Sequence, residues 1–268
     1  MNLEEIRDQY LSEGFSYLEA NSRTGQDVIL SLIAKSSLAK NITIKGGVVI
    51  QHISADSRRA TQDFDLDFIR YSLSDESIRR FIDELNKATD EIVISITAPI
   101  EEMKHQDYNG KRVYIRIVDN TGTHIDTKLD IGVHKNISIE QEEYCFYLDK
   151  LEDSVSLLIN TKEQSFTEKL KSLLRLGASS TRYKDIFDMY WFISHGSINK
   201  TVLLHDLEII IFNDKTMREN NNGDIASRLS SVFSDSSFME SLGKSRRYNW
   251  LEIDPTEATR GLLEFFAD

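Results

Sequence analysis

The sequence predicts an α+β fold in which a mixed, twisted sheet flanked by helices is followed by a helical bundle. Up to about residue 133, the predicted strands carry apolar side chains at every second position, as half-buried strands do. From about residue 150 the apolar spacing becomes nearly 3.6 residues, which is typical of amphipathic helices. We therefore expect a sheet-containing domain over residues 1–150 and a helical domain over residues 151–268.

Composition excludes several classes of protein. Hydrophobic residues make up 40% of the 268 residues, which is enough for a packed core. The net charge of −12 argues against broad nonspecific binding to nucleic acids. The single cysteine, Cys145, excludes an internal disulfide framework, and its aromatic neighbours predict a buried thiol. The N-terminus lacks the basic and apolar regions of a signal peptide, so we expect a cytoplasmic protein.

Several elements can be assigned from local signals. Two helices are expected over residues 2–20 and 25–40, and a strand at residues 42–45. Ser74 is a favourable N-cap for a helix that ends near residue 88. The Asn109-Gly110 pair predicts a hairpin turn. The motif from Ser165 to Glu168 fits a capping box at the start of a helix that ends at Gly177.

Gly46 and Gly47 stand between a predicted strand and a predicted helix. Residues without a Cβ let the backbone approach a ligand closely, and the N–H groups at a helix start favour phosphate. A Gly-Gly pair alone is more often an ordinary turn. Here the acidic strand predicted shortly after the pair favours a phosphate-binding turn.

That strand carries Asp63, Asp65 and Asp67 at alternate positions, so the three carboxylates share one face. Carboxylates held close together repel each other, and a hard cation such as Mg²⁺ would relieve that repulsion. A solvated strand face is the simpler explanation. Together with the Gly-Gly turn, the strand favours a phosphate cradle beside metal-binding carboxylates, as a nucleotidyl transferase requires.

Two further stretches carry acids that this hypothesis can use. Asp130 lies near the end of a predicted strand over residues 123–133 and would complete a metal-binding triad with Asp63 and Asp65. Asp185 and Asp188 share one face of a predicted helix rich in aromatic residues, with Arg182 one turn earlier. Because that helix is expected to be largely buried, its charges need partners or a ligand.

These motifs together resemble the AbiEii/AbiGii toxin family, the DUF1814 group of the polymerase-β-like nucleotidyltransferase superfamily. The five motifs that carry the resemblance stand in the family's order: Gly46-Gly47, the segment from Arg59 to Leu66, Lys128-Leu129-Asp130-Ile131, Glu168-Lys169-Leu170 and the segment from Arg182 to Asp188. The interval between Gly47 and Asp63 is longer than usual for the superfamily. Asp65 with Asp67 is an alternative metal pair, but Asp63 with Asp65 places Arg59 and Thr61 where the family has them.

The resemblance implies Mg²⁺-dependent transfer of a nucleoside monophosphate from an NTP to an acceptor hydroxyl, with two metal ions. It also implies the toxin half of a toxin–antitoxin or phage-defence pair, with an antitoxin protein as partner and tRNA 3′ ends as a candidate acceptor. The residues expected to bind metal or carry catalysis are Asp63, Asp65, Asp130, Lys169 and Asp185. Those expected to bind the nucleotide are Gly46, Gly47, Arg59, Thr61, Lys169, Arg182, Lys184 and Asp188.

Two other functions remain open at this point. One is a catalytically silent module that keeps the fold and binds a nucleotide or a protein. The other is a metal-dependent nuclease that uses the same acids. Turnover of NTP with Mg²⁺, or shortening of RNA instead of its extension, separates the three.

Overall fold

The computed structural model describes residues 1–103 and 110–267. The chain divides into two compact units, Met1–Asn160 and Thr161–Asp268. The boundary lies ten residues later than the sequence pattern indicates, because residues 153–159 form one more strand. That strand alternates buried Val155, Leu157 and Ile159 with more exposed residues, and it pairs within the sheet of the first unit.

A mixed sheet forms the centre of the first unit, as predicted. Its strands, among the described residues, are β1 (Ile42–Lys45), β2 (Phe64–Phe68), β3 (Ile92–Ile96), β4 (Glu101–Met103), β5 (Gly110–Asp119), β6 (His124–Val133), β7 (Glu142–Leu148) and β8 (Asp153–Ile159). Their order is β3-β5-β6-β2-β1-β8-β7, and β4 pairs with β5. The pairs β2–β6 and β1–β8 are parallel, whereas the remaining pairs are antiparallel.

The helices described in this unit are α1 (Leu3–Ser12), α2 (Tyr17–Lys35), α3 (Gly46–Ser54) and α4 (Asp75–Lys87). The break between the first two comes earlier than predicted. Ser16 and Glu19 form a capping box that starts α2 at Tyr17. Ser74 caps α4 through the N–H of Ser77, which confirms the predicted start of that helix.

The two faces of the sheet differ in polarity. One face carries the fully buried side chains of Ile44, Leu66 and Ile131, which are opposite one another in β1, β2 and β6. Helices α2 and α4 cover this face: the Phe81 ring of α4 packs edge-on against Phe68, with ring centroids 5.5 Å apart. The opposite face of the same strands is polar, because strand side chains alternate in direction.

Two predictions about loops and edges have different outcomes. Cys145 is exposed, so the prediction of a buried thiol is wrong. It lies on β7, an edge strand of the described sheet, where Phe146 and Leu148 point into the core and Cys145 alternates with them. The predicted Asn109-Gly110 turn falls largely within residues 104–109, outside the described residues.

The second unit is helical in the part of the chain that the structure describes. Its helices are α5 (Lys162–Leu176), α6 (Tyr183–Ser194), α7 (Lys200–Leu207), α8 (Asn222–Phe233), α9 (Ser236–Lys244) and α10 (Pro255–Ala267), and a π-helical turn (Glu208–Phe212) follows α7. The predicted cap at Ser165 is wrong: Thr161 caps α5 through the N–H of Gln164, one turn earlier. Gly177, at φ +57°, ends this helix as predicted.

Within the described residues, no helix combines the length and the apolar character needed to cross a membrane.

A buried carboxyl joins α1 to α2. Asp27 is 4% exposed and accepts a hydrogen bond from the hydroxyl of Tyr10. Burial raises the pKa of Asp27 to about 7, against the opposing effects of the Tyr10 hydrogen bond and the charge of Arg23. The folded protein therefore holds a proton on Asp27 at pH values where an exposed aspartate is ionised.

This proton makes stability depend on pH. Between about pH 4, where Asp27 ionises in the unfolded chain, and about pH 7, the folded state binds one more proton, so the free energy of unfolding falls as pH rises. We expect the free energy of unfolding of Asp27→Asn not to fall in this way. The difference in unfolding free energy between Asp27→Asn and wild type should therefore change by about 3 kcal/mol between pH 4.5 and 7.5. Urea unfolding at pH 4.5 and 7.5 measures it, with the exposed Asp8→Asn as control. Parallel profiles for wild type and Asp27→Asn would contradict the prediction.

Candidate active site

The Gly-Gly turn joins β1 directly to α3. Gly46 has φ +70°, a conformation that favours glycine. A Cβ on Gly46 would lie 2.3 Å from Oδ2 of Asp65, and a Cβ on Gly47 would lie 2.5 Å from Oγ1 of Thr61. Both glycines are therefore required by the close approach of side chains from the following segment. The turn brings Gly46, Gly47, Thr61 and Asp65 together.

The start of α3 offers backbone donors beside Asp65. Lys45 occupies the N-cap position and has no acceptor atom with which to cap the first N–H groups of the helix. Such N–H groups, together with the positive end of the helix dipole, stabilise an anion. The helix start thus has the chemistry of a phosphate-binding turn.

The segment that carries Arg59 and Thr61 is hydrogen-bonded to α2. Gln26 of α2, which is 4% exposed, donates its Nε2 hydrogen to the carbonyl of Thr61 at 3.0 Å. Arg59 is 3% exposed, and its guanidinium lies 3.4 Å from the carbonyl of Ala60. The structure places Arg59 inside the unit, whereas Thr61 lies at the Gly-Gly turn.

Four charged residues form a row across the polar face of the sheet, one from each of β1, β2, β6 and β5. Lys45 is opposite Asp65, Asp65 is opposite Asp130, and Asp130 is opposite Arg112. Residues directly opposite each other on neighbouring strands point to the same face and are close enough to interact. The charges along this row are positive, negative, negative and positive, and we call it the charged row.

Basic side chains neutralise the acids of this face. Arg112 donates Nε and Nη2 hydrogens to the two oxygens of Asp130, at 2.8 and 2.7 Å. These hydrogen bonds raise the pKa of Arg112 further above its already high value. Lys45 Nζ lies 2.7 Å from Oδ1 of Asp67, which is 2% exposed. Asp130 and Asp67 are therefore held as ion pairs rather than as bare carboxylates.

The predicted metal triad is only partly assembled. Asp65 and Asp130 are neighbours, but Asp63 precedes β2, is half-exposed, and pairs with Lys128 at 2.8 Å. In residues 1–103 and 110–267, no group of three or more His, Cys, Asp or Glu residues is arranged to hold a metal ion. The oxygens of Asp65 and Asp130 suit Mg²⁺ chemically. The alternative partner, Asp67, is buried against Lys45.

The helical unit contains the second predicted set. Lys169 of α5 lies between two acids of α6, with Nζ at 2.5 Å from Asp185 Oδ1 and 3.0 Å from Asp188 Oδ2. Arg182 Nε is 2.9 Å from the other oxygen of Asp185. Lys184 is half-buried in the first turn of α6. The sequence left open whether the buried charges of this helix meet protein partners or a ligand; in the structure, Asp185 and Asp188 both pair with Lys169.

One member of this set could not be seen in the sequence. Trp250 donates its indole N–H to Asp188 at 2.9 Å, and both residues are buried. The two are 62 positions apart, so no local spacing connects them. With Trp250 on one oxygen and Lys169 on the other, Asp188 is fixed in position and in turn fixes Lys169.

One protein-family model matches a range that includes candidate site residues of the sheet and of the helical unit. The model of a family described as the nucleotidyl transferase AbiEii toxin, of a type IV toxin–antitoxin system, matches residues 28–248. The chain belongs to the AbiEii family. A comparison with curated proteins gave no match. We call Lys169 with Arg182, Asp185 and Asp188 the Lys169 set. The range shared with the AbiEii family includes the Gly-Gly turn, the charged row and the Lys169 set, and it supports a nucleotidyl transferase. Trp250 lies just outside this range.

The contact between Gly46 and Asp65 can be tested by adding one methyl group. We expect Gly46→Ala to lower the free energy of unfolding by about 2 to 3 kcal/mol, since it adds a steric clash to the cost of a positive φ. Gly122→Ala is the control, because Gly122 has φ +89° but open space around its Cβ position. We expect about 1 kcal/mol for Gly122→Ala. Equal losses in urea unfolding would show that the approach to Asp65 is not tight.

Proposed function

We propose that this chain transfers a nucleoside monophosphate from an NTP to an acceptor hydroxyl, with Mg²⁺, as the toxin of a type IV toxin–antitoxin pair. The observation that carries the proposal is the position of Asp65, which lies against Gly46 at the start of α3 and opposite Asp130 in the sheet. A phosphate-binding helix start and two neighbouring carboxylates are what a triphosphate with its counter-cation requires.

In the proposed reaction the acceptor oxygen forms a bond to the α-phosphorus of the NTP. The bond from that phosphorus to the bridging oxygen breaks, pyrophosphate leaves, and the acceptor proton passes to a carboxylate, for which we propose Asp130. Asp65 and Asp130, joined by Asp63 when it leaves Lys128, would hold the cation, which neutralises charge on the phosphates. The N–H groups of Gly46 and Gly47 would bind the β- and γ-phosphates.

The helical unit is proposed to serve the same reaction. Lys169 would contact the triphosphate as a point charge. Asp185 and Asp188 would keep its ammonium group in place, since both lie within 3.0 Å of it. Arg182, whose side chain is 60% exposed, and Lys184 would contact phosphate or acceptor.

For the acceptor we propose an RNA, with the 3′ end of tRNA as the first candidate. The overall charge of −12 disfavours long stretches of nonspecific contact with a nucleic acid, so a single terminal hydroxyl is a more suitable target. NTP and tRNA meet in the cytoplasm, where we place the protein. An antitoxin is the proposed partner.

The ion pairs of the polar face support a second candidate, the catalytically silent module. Asp130 with Arg112 and Asp63 with Lys128 are already neutralised without a metal ion. A protein that had lost catalytic activity but kept the fold would keep such ion pairs. A direct measurement of transfer separates this candidate from the transferase.

The first experiment measures transfer directly. Purified protein is incubated with Mg²⁺, each α-labelled NTP in turn, and total tRNA, and the label in RNA is counted. We expect Asp65→Asn to lower the rate at least about 100-fold, because it removes a charge that the metal-bound triphosphate needs. Asp126→Asn is the control: Asp126 lies on the same strand pair as Asp130 but is exposed and paired with Arg116.

The outcomes of this experiment assign the function. Label in protein instead of RNA would change the acceptor but keep the chemistry. Shortened RNA without label would favour the nuclease. Absence of label, pyrophosphate and RNA cleavage with wild type would overturn the transferase in favour of the silent module.

Lys169 has a matched control on its own helix. Lys171 also has a side chain that is 12% exposed and pairs with an acid, Asp214, at 2.5 Å. We expect Lys169→Ala to lower the rate of label transfer by about 100-fold or more, and Lys171→Ala to leave it within about threefold of wild type. Lys169→Ala removes the ion pairs with two acids of α6 and Lys171→Ala removes the ion pair with Asp214, so urea unfolding of both variants is measured first, and transfer is compared only where both are folded. Similar rates for the two variants would remove Lys169 from the proposed reaction.

A further inference from the structure

Arg112 is a residue to which the transferase model assigns no role. Its guanidinium binds Asp130 through two parallel hydrogen bonds, and Asp130 lies opposite Asp65 in the charged row. Asp130 is 7% exposed, whereas the side chain of Arg112 is 32% exposed. The arginine therefore covers the carboxylate and also reaches the surface of the polar face.

A guanidinium and a divalent cation compete for the same carboxylate. Both oxygens of Asp130 already accept a hydrogen bond from Arg112, and Mg²⁺ requires a carboxylate oxygen at about 2.0 to 2.1 Å. Two cations on one carboxylate also repel each other, and the low exposure of Asp130 weakens the screening by solvent. Full occupancy by a metal ion thus favours an arrangement in which Arg112 has moved away.

A displaced Arg112 would have an evident new partner. Arginine presents several N–H donors in a planar fork that matches phosphate oxygens. Its position at one end of the charged row keeps it next to the carboxylates that a metal-bound triphosphate would occupy. The same side chain can therefore neutralise Asp130 before the nucleotide arrives and neutralise phosphate afterwards.

We propose that Arg112 is an exchangeable counter-ion: it holds Asp130 in the metal-free protein and binds triphosphate when a divalent cation takes Asp130. The inference rests on the proposed function, since it assigns the metal and the triphosphate to the same face. Arg112 would then compete with the metal ion for Asp130 and also bind the nucleotide. Its removal should therefore raise the affinity for the metal ion and lower the affinity for triphosphate.

The opposite signs make the test specific. Binding of Mn²⁺ alone is measured by electron paramagnetic resonance, and binding of inorganic tripolyphosphate at saturating Mn²⁺ is measured by calorimetry. We expect Arg112→Gln to bind Mn²⁺ on the order of tenfold more tightly, by analogy with the effect of a neighbouring charge on the proton affinity of a carboxylate. We expect it to bind tripolyphosphate about tenfold more weakly. A merely structural role would weaken both.

Arg116→Gln is the matched control. Arg116 lies on the same strand, on the same face, and makes the same two-bond contact with Asp126, at 2.7 and 2.8 Å. That pair is exposed and further from the carboxylates of the charged row. We expect this variant to bind both probes like wild type.

Arg112→Lys keeps the charge but not the two-bond fork, so it gives smaller shifts with the same signs and serves if Arg112→Gln does not fold. Unchanged or weaker Mn²⁺ binding in Arg112→Gln, or no Mn²⁺ binding by any variant, would overturn the inference. The transfer assay is read separately. Transfer by wild type without the Mn²⁺ shift would reject the inference alone, whereas the Mn²⁺ shift without transfer would reject the transferase alone.

Discussion

The register of the central sheet is the constraint on which the candidate site depends. Asp65 and Asp130 come from β2 and β6, and parallel pairing places them directly opposite each other on the polar face. A slip of one residue would turn a carboxylate into the face that α2 and α4 cover. The buried partners Leu66 and Ile131, one position further along the same strands, make that slip costly because they would lose the core. The apolar core thus fixes the position of the acids.

Two neighbouring carboxylates are stable here because cations stand on both sides of them. Lys45 and Arg112 are the ends of the charged row, and the start of α3 adds the positive end of a helix dipole beside Asp65. An anionic ligand with a divalent cation would bring the same balance of charge to this face. The arrangement is thus consistent both with a resting enzyme and with the exchange of ion pairs proposed for Arg112.

The ion pairs of Lys169 are largely buried, so their contribution to stability is different. Asp188 is fully buried and Asp185 nearly so, and both pair with Lys169. Removing three charges from water offsets most of the energy gained by pairing them, so such a set contributes little net stability. Its precise support by Trp250 is better explained by a need to hold one ammonium group in a fixed position. The reaction proposed above would account for that need.

Local signals in the sequence determined the fold class, most strands and the capped helix at Ser74. They also predicted the Gly-Gly turn and the alternating acids of β2, since turn and alternation signals act over a few residues. They did not determine the start of α5, because the segments from Thr161 to Gln164 and from Ser165 to Glu168 both fit the capping-box pattern. The exposure of Cys145 likewise depends on β7 being an edge strand, which its aromatic neighbours do not reveal.

Only the tertiary structure decided the partners of the acids. Arg112 meets Asp130 across 18 positions and Trp250 meets Asp188 across 62, and neither distance has a periodic signature in the sequence. The sequence named the carboxylates, since alternation along a strand and spacing along a helix are local properties. Whether each carboxylate is bare, paired or buried is set by strands and helices brought together in folding, because charge neutralisation acts through space and not along the chain.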